Sequence, residues 1–181
     1  MHRIKLLEGL AVYRETYKSE SGSVDRFTDF VESSTNCFSR ENLFGHVTGS
    51  AWILSPDHTK VLLTHHKKLN RWLQLGGHSD GESNTLQVAM REAKEESSLV
   101  LNPVDDLIFD IDIHEIPVRG SDPQHLHFDV RFLFESTGTK FRVSSESNAL
   151  SWAPLMGLEK YSIEESVLRM REKQVERFSR V

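Results

Sequence analysis

The 181-residue chain is predicted to adopt a mixed α/β layered fold, on three observations. Short segments with alternating or continuous apolar character dominate from Val47 onward. One amphipathic helix interrupts them, and helical spacing marks both ends of the chain. A chain of this length buries about two-thirds of its unfolded surface as one domain and needs no disulfide framework or structural metal to hold it.

The elements follow in order. Leu6, Leu10, Tyr13 and Tyr17 share helical spacing, and so do Phe27, Phe30, Val31, Ser34 and Phe38 after the break "SESGS". The first forty residues therefore read as a helical hairpin, an extension packed on a core domain spanning 41–181. "VTGSAWIL", "KVLLTHH" after the turn "SPDHT", and "WLQL" running into Gly76 and Gly77 read as strands. Within residues 73–99 a polar turn after the glycines leads into a helix, in which Leu86, Ala89, Met90 and Ala93 make a core stripe at 100° per residue. "LIFDIDIHEIPV" and "HLHFDVRFLFE" alternate like a paired, half-buried sheet, and "ALSWA" gives another strand. Ser162 and Glu165 have capping-box spacing before a terminal helix.

Composition excludes several functions. A formal charge of -5 with 27% charged residues offers no basic footprint for nonspecific nucleic-acid binding. Cys37, the single cysteine, excludes an internal disulfide and a Cys-rich zinc site, fits a reducing compartment, and reads as a helix-packing residue. No apolar run approaches the roughly 20 residues of a membrane span, and the first twenty residues lack a continuous signal-peptide core. A soluble, cytoplasmic protein is expected. Composition leaves the oligomeric state open, a homodimer included.

The central helix carries chemistry. Glu92, Glu95 and Glu96 share a sector beside the core stripe, where like charges at i, i+3 and i+4 disfavour the helix by a few tenths of a kcal/mol per pair. A divalent cation reverses that penalty, and oxygen-only ligands suit Mg2+ or Mn2+, which bind through a few carboxylates together with substrate phosphates. Taken alone, the cluster also reads as a solvated acidic face balanced by Arg91 and Lys94.

The preceding loop adds the context. From Gly77 through Arg91, Glu92, Ala93, Glu95 and Glu96 to Leu99, the chain resembles the Nudix hydrolase signature G-x5-E-x7-R-E-U-x-E-E-x-G-U, with U a bulky apolar residue. So many fixed positions over 23 residues make the signal specific, and the resemblance extends over 45–165 through the strand order and "ALSWAPLMGLE". Ser83 stands where the signature has its first glutamate, and Ser98 where it has its last glycine. Ser83 is suited to cap the helix, and Ser98 is expected to need left-handed geometry that glycine accepts freely.

The resemblance implies a Nudix-type α/β/α sandwich with a mixed β-sheet, and hydrolysis of a phosphoanhydride bond in a nucleoside diphosphate linked to another moiety. It implies Glu92, Glu95 and Glu96 as metal ligands with the Gly77 carbonyl, Mg2+ or Mn2+ as cofactor, and Arg91 as the residue that orients the glutamates. A carboxylate outside the box assists as base or ligand in such enzymes, and Glu135 is the expected candidate, with an exposed strand end as the alternative. A catalytically weak nucleotide-binding sensor on the same fold is one competing reading, motivated by Ser83 and Ser98. An isopentenyl-diphosphate-isomerase-like enzyme is another, although such an enzyme relies on cysteine and Cys37 precedes the main strands. A structural interaction protein is a third, if the acidic helix binds no cation.

Beyond the box, His125, His127, Asp129, Arg131 and Glu135 share one face of their strand and form a polar column suited to a substrate cleft. Arg131 is expected to hold phosphate or stack on a base, and His127 to bond phosphate or sugar. A solvent-washed sheet face is the alternative. His125 and His127 also have the i, i+2 geometry of a transition-metal pair, with no third ligand nearby in sequence. Arg71 and Trp72 are placed to meet phosphate and base; a solvated turn and one core tryptophan are the alternative.

Overall fold

The computed structural model describes residues 2–179 except 68, 119, 121, 122 and 146. All ten residues of β1 (Gly45–Leu54) are buried. The strand is paired along both edges and covered on both faces. On one edge it runs parallel to β7 (His125–Ser136) from Gly45 opposite Leu126 to Leu54 opposite Glu135. On the other edge it pairs antiparallel with β4 (Leu75–His78) and then with β2 (Lys60–His66). Beyond β2 lie β3 (Arg71–Leu73) and β8 (Ser147–Pro154), and beyond β7 lie β5 (Leu101–Pro103) and β6 (Asp110–Ile116), all antiparallel to their neighbours. The eight strands form one mixed sheet. The expected segment "WLQL" is split between β3 and β4, and the short β5 lacks enough alternation to show in the sequence.

Alternation along the strands assigns the two faces. Val47, Ala51 and Ile53 of β1 and Phe128, Val130, Phe132 and Phe134 of β7 join one apolar cluster with α1 (Ile4–Thr16), α2 (Ser21–Ser33) and α3 (Thr85–Ser97). Trp52, Leu54 and Leu133 point the other way, to Val167 and Met170 of α4 (Glu165–Ser179). Helices on both faces of a mixed sheet make the expected α/β/α sandwich. At Gly49 a Cβ would lie 2.8 Å from the Thr85 carbonyl oxygen, so a side chain there would push α3 off the sheet.

The N-terminal hairpin forms as expected, with a tighter break. A 3-10 turn at Lys18–Glu20 leads directly into α2 at Ser21. Phe30 stacks on Phe128 with ring centroids 3.8 Å apart, which ties the hairpin to the sheet. Cys37 does not lie on a helix as expected. It is buried in the turn after α2, where its carbonyl accepts the Val47 N–H at 2.7 Å. Burial pushes its thiol up to about 11, so it packs and does not attack.

Of three expected helix ends, one forms as expected and two differ. Ser98 does adopt the left-handed conformation, with φ 58°. The cap of α3 is Asn84 instead of Ser83, its side chain accepting the Gln87 N–H at 3.4 Å. At α4 the helix begins at Glu165, so Ser162 sits too early for a capping box, and its hydroxyl accepts the Glu164 N–H at 3.3 Å. No helix among the described residues is long and apolar enough to cross a membrane.

Candidate active site

The glycine pair on β4 and the charged side of α3 are built against each other. Gly76 lies opposite Ser50 and Gly77 opposite Gly49, which sets the pair at the middle of β1, under α3. The Gly76 N–H donates to Glu96 Oε1 at 2.9 Å. Gly77 leaves the space that Glu92 fills: a Cβ there would come within 2.2 Å of Glu92 Oε2. Arg91 donates from Nη2 to Glu92 Oε1 at 2.7 Å and to the His78 carbonyl at 2.8 Å, clamping the helix to the end of β4. Its hydrogen bond to Glu92 raises the Arg91 pKa above the usual guanidinium value.

Glu96 is only 7% exposed, whereas Glu95, one residue earlier, is open to solvent. Carboxylates are almost never buried unless paired or ligated. Glu92 and Glu96 are thus set against the glycines, the first held by a guanidinium and the second by a backbone N–H, while Glu95 stands exposed on the same helix. A donor set of oxygens alone, with a glycine cradle that admits the Glu92 carboxylate, fits a hard divalent cation such as Mg2+ or Mn2+.

The polar column is differently disposed. Arg131 is 2% exposed and does not line an open cleft as expected. Its Nε donates to Asp129 Oδ2 at 2.8 Å, while its Nη1 and Nη2 meet Asp110 at 3.1 Å and Asp112 at 3.2 Å. Asp129 also accepts from the Thr48 and Ser50 hydroxyls, each at 2.8 Å. From α4, Arg169 and Lys173 reach Asp110 at 2.9 and 2.7 Å. Burial alone would raise the Asp110 carboxyl, but these cations outweigh it and hold the group below the ordinary carboxylate value. Arg131 is therefore the centre of a buried ion network that joins β6, β7 and, through Asp110, α4.

Glu135 is also not brought to the box. It lies opposite Leu54, five positions along β1 from Gly49 and so about 16 Å away at strand rise, and it pairs with His58 Nε2 at 2.9 Å. Trp72 packs edge-on against Tyr161, with centroids 5.5 Å apart, as part of the α4-side apolar cluster. Arg71 pairs with Glu164 at 3.1 Å. His127 does join a polar cluster, but its companions include His46 and His78, which the sequence reading did not single out. Across the parallel β1/β7 pair His46 stands directly opposite His127, and that register has no local sequence signal.

Comparison with known proteins gives a consistent result. The family model described as NUDIX domain matches residues 45–172. A NUDIX-family hydrolase from Clostridium perfringens is 27% identical, with a TM-score of 0.55 and coverage of 71% of this chain and 95% of that one. An Ap4A hydrolase from C. elegans, crystallised as a binary complex, shows a TM-score of 0.56 at 16% identity, covering 75% of this chain and 98% of its own. A MutT protein from Methanosarcina mazei Go1 gives 0.53 at 19% identity, covering 76% and 94%. The last two share the fold. No curated protein matches the chain.

Proposed function

This chain belongs to the Nudix family, and on that premise we propose that it is a divalent-metal-dependent pyrophosphohydrolase acting on a nucleoside diphosphate linked to another moiety. The observation that carries the proposal is the convergence of Glu92 and the buried Glu96 on the Gly76–Gly77 pair of β4. Without a cation, desolvating like charges at i and i+4 opposes folding of the helix.

Glu92, Glu95 and Glu96, with the Gly77 carbonyl, are the proposed ligands. Mg2+ or Mn2+ held there supplies neutralisation of phosphoryl charge and a lowered pKa for water. The protein's own groups do the positioning. The Gly76 N–H fixes one oxygen of Glu96, and Arg91 sets the plane of the Glu92 carboxylate while tying it to β4. Exposed Glu95 is the carboxylate with room to meet an incoming phosphate–metal complex or to accept a proton from water. The buried Cys37 removes the support for a cysteine-dependent isomerase on this fold. The proposal further holds that residues 1–40 are an extension packed on the catalytic domain, and that the protein works in the cytoplasm.

The test is a screen of nucleoside triphosphates, nucleotide sugars, dinucleoside polyphosphates and capped RNA with Mg2+ or Mn2+, with products identified. Cleavage at a phosphoanhydride bond, releasing a nucleoside phosphate, is expected for at least one class. Binding without turnover across the whole panel would transfer the chain to the sensor reading.

A further inference from the structure

Five histidines meet at one end of the sheet, on the face opposite α3. His46 lies opposite His127 across β1 and β7, and His114 opposite His127 across β6 and β7. His125 is two residues before His127, and His78 enters from β4. The His46 ring centroid is 4.8 Å from that of His127, 5.0 Å from that of His125 and 5.1 Å from that of His78.

Such crowding of imidazoles is unusual, and the hydrogen bonding makes it more so. His46 is 3% exposed, and among the described residues neither of its ring nitrogens has a hydrogen-bond partner. His127 Nε2 is likewise buried without one. A buried polar group left unsatisfied costs about 1–3 kcal/mol, and among the described residues these three nitrogens meet no hydrogen bond of ordinary geometry. Substituting apolar groups would be cheaper if packing were their role.

We propose that His46, His125 and His127 form a binding site for a borderline transition-metal ion, Zn2+ or Co2+ in class, distinct from the carboxylate site of the Nudix box. Their candidate ligand nitrogens all lie within 4.8 Å of one another. Tetrahedral bonds of about 2.0–2.1 Å would set the nitrogens roughly 3.4 Å apart, so modest ring rotations draw them onto the ion. His125 has the outer partner such ligands use: its Nδ1 lies 2.8 Å from the Pro123 carbonyl, which fixes the proton on Nδ1 and leaves the Nε2 lone pair free for metal.

Ligand chemistry separates this site from the box. Imidazole nitrogens select zinc-like ions, whereas carboxylate and carbonyl oxygens select Mg2+ or Mn2+. Three nitrogen ligands leave a fourth position open to water or a substrate oxygen. The two sites touch through β4, because His78, whose ring packs on His46 and His127, offers its carbonyl to Arg91.

The experiment uses untagged full-length protein, stripped with chelator, held in saturating Mg2+ and titrated with Co2+. One equivalent should bind with visible d–d absorption, and one equivalent of Zn2+ should displace it. His46→Leu should weaken Co2+ binding by about a hundredfold or more while its metal-free melting temperature does not fall, since the leucine removes two unsatisfied nitrogens. His125→Asn, at a partly exposed ring, gives the same binding readout if His46→Leu fails to fold. A Glu95→Gln/Glu96→Gln double variant should keep the Co2+ site. Absence of the absorption, unchanged affinity in the histidine variants, or loss of the site only in the glutamate variant would each overturn the proposal.

Discussion

Gly77→Ala places a methyl carbon 2.2 Å from Glu92 Oε2, 2.6 Å from its Cδ and 3.1 Å from its Cγ. Favourable carbon contacts begin at about 3.5 Å, so the Glu92 carboxylate must retreat by about 1 Å and gives up its place against Arg91. The obstructing atoms are the end of a flexible side chain. The expected stability loss is therefore small, about 1 kcal/mol, or a fall of about 2–4 °C in Tm for a chain of this size. Misplacing a catalytic group by about 1 Å costs roughly a hundredfold in rate, so kcat should fall by about two orders of magnitude. Gly76→Ala provides the contrast, because its Cβ would lie 2.7 Å from both the Gly49 carbonyl oxygen and Ser50 Cα, which are backbone atoms of β1. Backbone cannot swing aside, and that variant should lose about 3 kcal/mol or more. Thermal melts paired with metal-dependent turnover on the identified substrate distinguish the two. A Gly77→Ala protein within about threefold of the parent rate, or one as destabilised as Gly76→Ala, would refute the cradle assignment.

Arg131→Met should destabilise the protein by about 3–5 kcal/mol in urea titrations, because it leaves Asp110, Asp112 and Asp129 without the cation at their centre. Glu135→Gln should leave kcat and KM unchanged in steady-state assays, since its partner is His58 at the far end of β7. The folded Asp110 carboxyl lies below its unfolded value of 3.8, so its stabilisation is complete above that pH and is lost as pH falls through the folded pKa. The stability gap between parent and Asp110→Asn should thus be widest at neutral pH and narrow in acid, and urea midpoints across that range measure it. Ser98→Gly should raise Tm, by about 1 kcal/mol of added stability, because φ 58° is strained for serine and free for glycine.

The features legible in the sequence were those written in local spacing. Period-two alternation marked β6 and β7, period-3.6 stripes marked α1, α2 and α3, and the run from Gly77 to Leu99 marked the glutamates set against the glycine pair together with the left-handed turn at Ser98. What stayed hidden depended on which strands lie side by side. A parallel pairing between segments some eighty residues apart brings His46 to His127, and no nearby residue signals it. Arg131 read as a substrate grip because its own strand shows only which face it takes; Asp110 and Asp112 of β6 close over it. Glu135 shares the face of Leu133, turned away from α3, and also stands far along the strand from the box. The Asn84 cap displaced Ser83 because local side-chain geometry, more than residue preference, chooses between adjacent capping residues.

If Glu92, Glu95 and Glu96 hold a catalytic cation, the hydrolysis rate of the identified nucleotide substrate must depend on it, as measured by titrating Mg2+ into parent and Glu96→Gln proteins. Glu96→Gln keeps the side-chain shape and an oxygen for the Gly76 N–H while removing the ligand charge. The parent should be inactive in chelator and saturate with added Mg2+, and Glu96→Gln should remain folded with its rate down by more than about a hundredfold. Turnover that persists without divalent metal, or a folded Glu96→Gln protein with the parent's rate and Mg2+ dependence, would contradict it.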